Sequence, residues 1–213
     1  MSKAIVALCV CTALLAFSGA RATVLNVAIT DRDGHPASDT VVTLVPSGAT
    51  APHAPERAVI DQRRETFLPL VVVVRKGGHV VFTNNDITKH QVYSFSPIRQ
   101  FQFVISQGET SSPVEFDQAG IAAIGCNIHD RMIAYVYVAE EPYAAVSDAS
   151  GHAEFVGVSE GAYRVMLWHP QMHGVAPAPA GALNIEGPTA RFTGSLPISV
   201  GTAARMKPMH MDY

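Results

Sequence analysis

Beyond residue 22, no long stretch of this chain repeats its apolar residues at helical spacing. Short apolar or alternating runs recur instead, each cut off by Gly, Pro, Asn or Asp. Such runs cannot lay a continuous stripe along a helix. They suit strands joined by turns, and the expected fold class is all-β. No internal repeat marks a solenoid or a propeller.

The runs fall into three blocks. The first is Val24 to Thr30, a turn over Asp31-Arg32-Asp33-Gly34-His35-Pro36, then Thr40 to Val45. Asp-Gly and His-Pro are turn chemistry. Pro46 to Pro55 reads as a loop. The second block opens with Phe67 to Val74, whose four consecutive Val are stiff at χ1 and suit a buried strand. Arg75-Lys76-Gly77-Gly78 turns that run into a return strand, His79 to Thr83. Asn84-Asn85-Asp86 then opens a loop carrying His90. Further runs are Val92 to Phe95, Arg99 to Ile105, Pro113 to Phe116, Ile121 to Cys126 and Tyr135 to Ala139. The third block has Ala153 to Val156 and Tyr163 to Trp168, with Leu183 to Ile185 and Leu196 to Val200 as weaker strands. Val175 to Ala182, rich in Pro and Ala, reads as a loop.

The first 22 residues stand apart. Lys3 precedes an apolar run, Ala4 to Phe17, too short to span a bilayer comfortably, and Ala20-Arg21-Ala22 is a small-x-small cleavage site. This is the pattern of a secretory signal peptide, with the mature chain starting at Thr23 and the protein exported to the periplasm. Cys9 and Cys11 leave with it. Cys126 is then the one remaining thiol, so no intramolecular disulfide can form. A lone thiol in an exported chain calls for a reason: either a small buried hydrophobe or a metal ligand.

Its neighbours favour the metal. Cys126-Asn127-Ile128-His129-Asp130-Arg131-Met132 is a C-x-x-H-x-x-M run, and His90 lies upstream. One thiolate, two imidazoles and one thioether make the donor set of a trigonal copper site with a weak axial Met. Met is a poor zinc ligand, and hard cations such as magnesium and calcium prefer oxygen. Met132 alone would read as a core gap-filler; the combination carries the inference. Three-residue spacings bring Cys126, His129 and Met132 over one ion, and a separate loop supplies His90. Ile121, Ile124, Ile128 and Ile133 are expected to keep water from the sulfur. Protein side chains fill every position, and no Glu stands beside the run as a base. That favours electron transfer over hydrolysis.

These residues resemble the cupredoxin family, in its plastocyanin- and amicyanin-like branch. The similarity covers about Ala58 to Glu140: Asn84 to Val92 around the first His, then Gly120 to Met132. Gln91 follows that His where relatives carry Asn, and Arg131 precedes Met132. The resemblance implies a Greek-key β-sandwich with one mononuclear type 1 copper centre held by His90, Cys126, His129 and Met132. It implies no enzymatic activity. The flanks are similar to carboxypeptidase regulatory-like, transthyretin-like sandwiches, through Asp31-x-x-Gly34-x-Pro36, Asp148-x-x-Gly151-x-x-x-Phe155 and Gly161-x-Tyr163. The expected organisation is a signal peptide over 1–22, a regulatory-like sandwich over 23–57 and 141–200, a cupredoxin domain over 58–140 and a Met/His-rich tail over 201–213. The copper domain is either inserted in the second sandwich or placed beside it.

With 48% hydrophobic and 15% charged residues, a net charge of −3 and no basic stripe, nothing points to nucleic acid. Two function classes remain. One is a periplasmic carrier of single electrons, docking through an apolar patch at the edge of His129 on a redox partner such as a c-type cytochrome or a dehydrogenase. The other is a copper-binding or copper-handling protein that also uses Met206, Met209, His210 and Met211. A copper nitrite reductase would need a second copper centre. His169, Met172 and His173 offer soft ligands, but a strand end and turn explain them. His35, His53, His79 and His152 read as turn or surface residues, and Arg63 and Arg64 as a solvated face.

Overall fold

The structure is a computed structural model that describes residues 23–48, 56–129, 131–172 and 176–200. It is all-β, as expected. Its strands are β1 (Thr23–Thr30), β2 (Val41–Pro46), β3 (Arg57–Gln62), β4 (Phe67–Leu68), β5 (Val71–Arg75), β6 (Gly78–Asn84), β7 (His90–Ser94) and β8 (Phe101–Ile105). They continue as β9 (Val114–Phe116), β10 (Gly120–Cys126), β11 (Ile133–Ala139), β12 (Tyr143–Val146), β13 (His152–Val158), β14 (Gly161–Trp168), β15 (Ala178–Ile185) and β16 (Thr189–Ser195).

Four sheets result. β4-β3-β6-β9 and β5-β11-β10-β7-β8 use one continuous stretch of chain, while β12-β2-β14-β15 and β13-β1-β16 combine its two ends. The first pair encloses one core, with Ile60, Phe82 and Phe116 facing Val92, Ile124 and Val136. The second pair encloses another, built on Leu25, Val27, Leu44, Val165 and Leu167.

The two sandwiches share a wall. Val72 and Val74 of β5 point into the first core, whereas Val71 and Val73 join the second. β5 pairs in parallel with β11, Val71 opposite Tyr135 and Val73 opposite Tyr137. A parallel strand covered on both faces loses the alternation of a half-exposed one, which is why the sequence here is an unbroken Val run. Each fully buried Val contributes roughly 1.5–3 kcal/mol. Trp168 of β14 closes the joint, its ring 5.6 Å from Tyr135 and 5.8 Å from Tyr137.

Several expectations need correction. Phe67 to Val74 is not one strand. It breaks at Pro69, which has no N–H to give a ladder, and β4 and β5 belong to different sheets. The Arg75–Gly78 turn therefore crosses between sheets and makes no hairpin. His90 is the first residue of β7 and not a loop residue. β3, β12 and β16 went unread, and Leu196 to Val200 is not a strand. Within the Pro/Ala stretch, Ala178 to Ala182 belong to β15, which runs on through the expected strand Leu183 to Ile185. That strand lies at the edge of its sheet, where Pro is tolerated, and its register shifts opposite Val165 and Met166.

Candidate metal centre

Two strand ends build the centre. β10 turns Ala122, Ile124 and Cys126 toward the first core, and β7 does the same with His90 and Val92. Cys126 pairs with Val92 across the antiparallel ladder, which makes Cys126 and His90 diagonal neighbours on one face. The turn after Cys126 brings His129 back toward them. The N–H of Met132 donates to the carbonyl of His129 at 3.0 Å, which tightens that turn.

Three ligand atoms converge. His90 Nδ1 lies 3.6 Å from Cys126 Sγ, His129 Nδ1 lies 3.8 Å from it, and the two nitrogens are 3.2 Å apart. The point equidistant from all three is about 2 Å from each, the length of a metal–imidazole bond and near that of a metal–thiolate bond. His90 is fully buried and Cys126 nearly so. Met132 is buried in the same cluster.

The outer nitrogens decide which tautomers are present. His90 Nε2 is 3.2 Å from Asp86 Oδ2, and His129 Nε2 is 3.5 Å from Glu65 Oε1. Burial pushes the Asp86 carboxyl up, but the N–H groups of Glu65 and Ile87 and the ring of His90 outweigh it, and its pKa lies below the usual carboxylate range. An ionised carboxylate only accepts, so the ring proton of His90 sits on Nε2. Its Nδ1 then turns inward, within hydrogen-bond distance of Cys126 Sγ and of Nδ1 of His129. Without a metal, the thiol S–H can donate to that nitrogen. A soft cation between the three atoms would take the place of those contacts, so these residues fit copper.

The surrounding loop is shaped by Asn84. Its amide donates to the carbonyls of Thr88 (2.8 Å) and Ile105 (3.0 Å), and its Oδ1 accepts the N–H of Asp86 (2.9 Å). Gln91 has a partner too. The N–H and the side-chain amide of Asn127 donate to the backbone carbonyl and Oε1 of Gln91, each at 3.0 Å, which ties the two ligand segments together.

The Ile shell is only partly as expected. Ile124 is buried beside Cys126. Ile128 and Ile133 are about half exposed, and Ile121 packs on the other face of its sheet. The expectation of no Glu beside the site also fails. Glu65 reaches it from the turn after β3, in a segment read as a solvated face. Sequence offered a weak signal there, since Glu65 is remote from every ligand.

Elsewhere, His169 and Met172 are buried at the end of β14, where burial lowers the pKa of His169. His53, His173, Asp130 and the tail residues Met206, Met209, His210 and Met211 lie outside the described residues. Asp31, Asp33 and His35 form a second cluster of ligand-type side chains. The Asp31 carboxylate is already occupied by the N–H groups of Asp33, His35 and Val200.

No family model and no curated protein matches the sequence. Among solved structures, the chain is similar to a purple cupredoxin from Nitrosopumilus maritimus, at 20% identity and a TM-score of 0.35, over 38% of this chain and 99% of that one. It is similar to the amicyanin of Paracoccus versutus, at 20% identity and a TM-score of 0.35, over 48% of this chain and 100% of that one. A copper-containing nitrite reductase from Thermus scotoductus aligns at 19% identity and a TM-score of 0.37, over 47% of this chain and 26% of its own.

Proposed function

We propose that this is an exported, non-enzymatic copper protein that carries single electrons between redox partners in the periplasm. The observation that carries the reading is the convergence of His90 Nδ1, His129 Nδ1 and Cys126 Sγ on one point. Copper bound there would supply a centre that accepts and returns one electron. The chain's own residues do the rest. His90 and Cys126 stand on paired strands and cannot swing apart, so the site changes shape little between charge states. Asp86 and Asn84 fix His90, and the Gln91–Asn127 bonds fix the distance between the two ligand segments. Met132, in the same cluster, is the candidate for a weak fourth ligand. His129 is the ligand with an edge near solvent, its side chain 22% exposed, and is the natural route for an electron.

In this reading residues 1–22 are a signal peptide, and the continuous stretch from β3 to β11 is a copper module inserted in a sandwich made by the two ends of the chain. The partner is a redox protein such as a c-type cytochrome or a dehydrogenase.

The test is to titrate the metal-free mature protein with Cu(II). One equivalent is expected to give intense absorption toward the red end of the visible and an axial electron paramagnetic resonance signal. Cys126→Ser is expected to abolish the colour. A colourless wild type overturns the proposal. Readily exchanged copper at more than one equivalent, without reversible redox cycling, favours the copper-handling alternative.

A further inference from the structure

Residues 63–66 join β3 to β4 through a two-residue hairpin turn. Arg63 N–H donates to the Thr66 carbonyl at 3.0 Å, and Thr66 N–H to the Arg63 carbonyl at 3.1 Å. The two central residues, Arg64 and Glu65, have φ of 50° and 54°. Turns with both central residues left-handed favour Asn-Gly, because other side chains cost about 1 kcal/mol or more there. The hairpin itself has no need of Arg or Glu.

Glu65 is used twice at the metal centre. Its N–H donates to Asp86 Oδ2 at 2.6 Å, and that same oxygen is 3.2 Å from Nε2 of His90. Its carboxylate reaches Nε2 of His129 at 3.5 Å. One oxygen of Asp86 therefore docks the turn against the first imidazole, and the docked turn lays a carboxylate on the second.

We propose that Glu65 is a positioning residue for the copper centre: its carboxylate holds His129 in the Nε2–H tautomer and sets a negative charge on the outer edge of that ligand. This rests on the copper reading above. The charge makes the imidazole a stronger donor and favours the more positive state of the metal. It also means that a partner approaching the exposed edge of His129 meets a carboxylate, not a bare ring.

Three variants separate this role from a structural one. Glu65→Gly keeps the N–H to Asp86, suits the left-handed turn and removes the carboxylate. Glu65→Gln keeps the length and removes the charge. Arg64→Gly relieves the turn equally and leaves the carboxylate in place. Nitrogen chemical shifts of the His129 ring, in the metal-free protein, are expected to show one tautomer in wild type and Arg64→Gly and a mixture in Glu65→Gly. In the copper-loaded protein, both Glu65 variants are expected to favour Cu(I) by roughly tenfold, a rise of about 59 mV in potential. Arg64→Gly is expected to leave the potential unchanged, and Glu65→Gly to melt no lower than wild type.

Glu65 variants with the wild-type tautomer or the wild-type potential overturn the inference. So does an Arg64→Gly shift as large as that of Glu65→Gly. A wild type that takes up no copper defeats the functional reading instead, and the tautomer of His129 then decides the role of Glu65 alone.

Discussion

No part of the His90 side chain reaches solvent, and both ring nitrogens are committed, one to Asp86 and one to the ligand cluster. The partner on the outer nitrogen fixes where the inner lone pair points. Asp86→Asn is expected to weaken copper binding 10- to 100-fold, measured by competition with a chelator, because it loosens both His90 and the turn that carries Glu65. In the turn after β1, Asp31 gives a pH dependence. Burial raises its pKa, but the N–H groups of His35 and Asp33, the charge of His35 and the N–H of Val200 outweigh that, and the folded value lies below 3.8. A depressed carboxyl stabilises the fold above its unfolded pKa, and that contribution disappears as pH falls through the folded value. The melting temperature is therefore expected to fall more steeply below about pH 4 in wild type than in Asp31→Asn. The grouping of Cys126 with His129 was legible in the sequence, because the two are close along the chain and their side-chain chemistry is narrow. Glu65 was not, because its role depends on where a hairpin turn docks, and spacing does not encode that.

Among the elements, those with strong side-chain patterns were the ones sequence could place. β10 sends Ala122, Ile124 and Cys126 inward at every second position, β11 is buried on both faces toward its end, and both are anticipated by the sequence. β15 and β16 carry Gly, Ala, Thr and Pro at sheet edges and bury few residues fully, so the sequence marks β15 only over Leu183 to Ile185 and does not mark β16. β5 was seen as buried but not as shared, since a Val run says that two faces are covered and not by what. The turn before β13 tests how tightly the outer sheets fit. Gly151 has φ of 77°, and a Cβ on it would stand 2.3 Å from the Ile29 carbonyl oxygen. Gly151→Ala is expected to cost about 1–3 kcal/mol, read as a lower melting temperature, with the copper colour intact.

Across the whole molecule, the joint at Trp168 decides whether the two sandwiches melt together. Its ring fills the space against Tyr135 and Tyr137, and its Nε1 is buried without a hydrogen-bond partner. Trp168→Ala is expected to cost about 3–5 kcal/mol. It is also expected to split one calorimetric transition into two, as each core melts on its own. A single, equally cooperative transition in that variant would show that Trp168 does not couple the cores. The pairing of β2 with β12 has a kinetic consequence. Leu44 meets Tyr143, roughly 100 residues further on, and that contact closes only after the intervening chain has been brought into a small volume. Strands β3 to β11 are contiguous in sequence, while the other sandwich needs both ends of the chain. The ligand cluster is therefore expected to mature first, with the ends of the chain zipping over it afterwards.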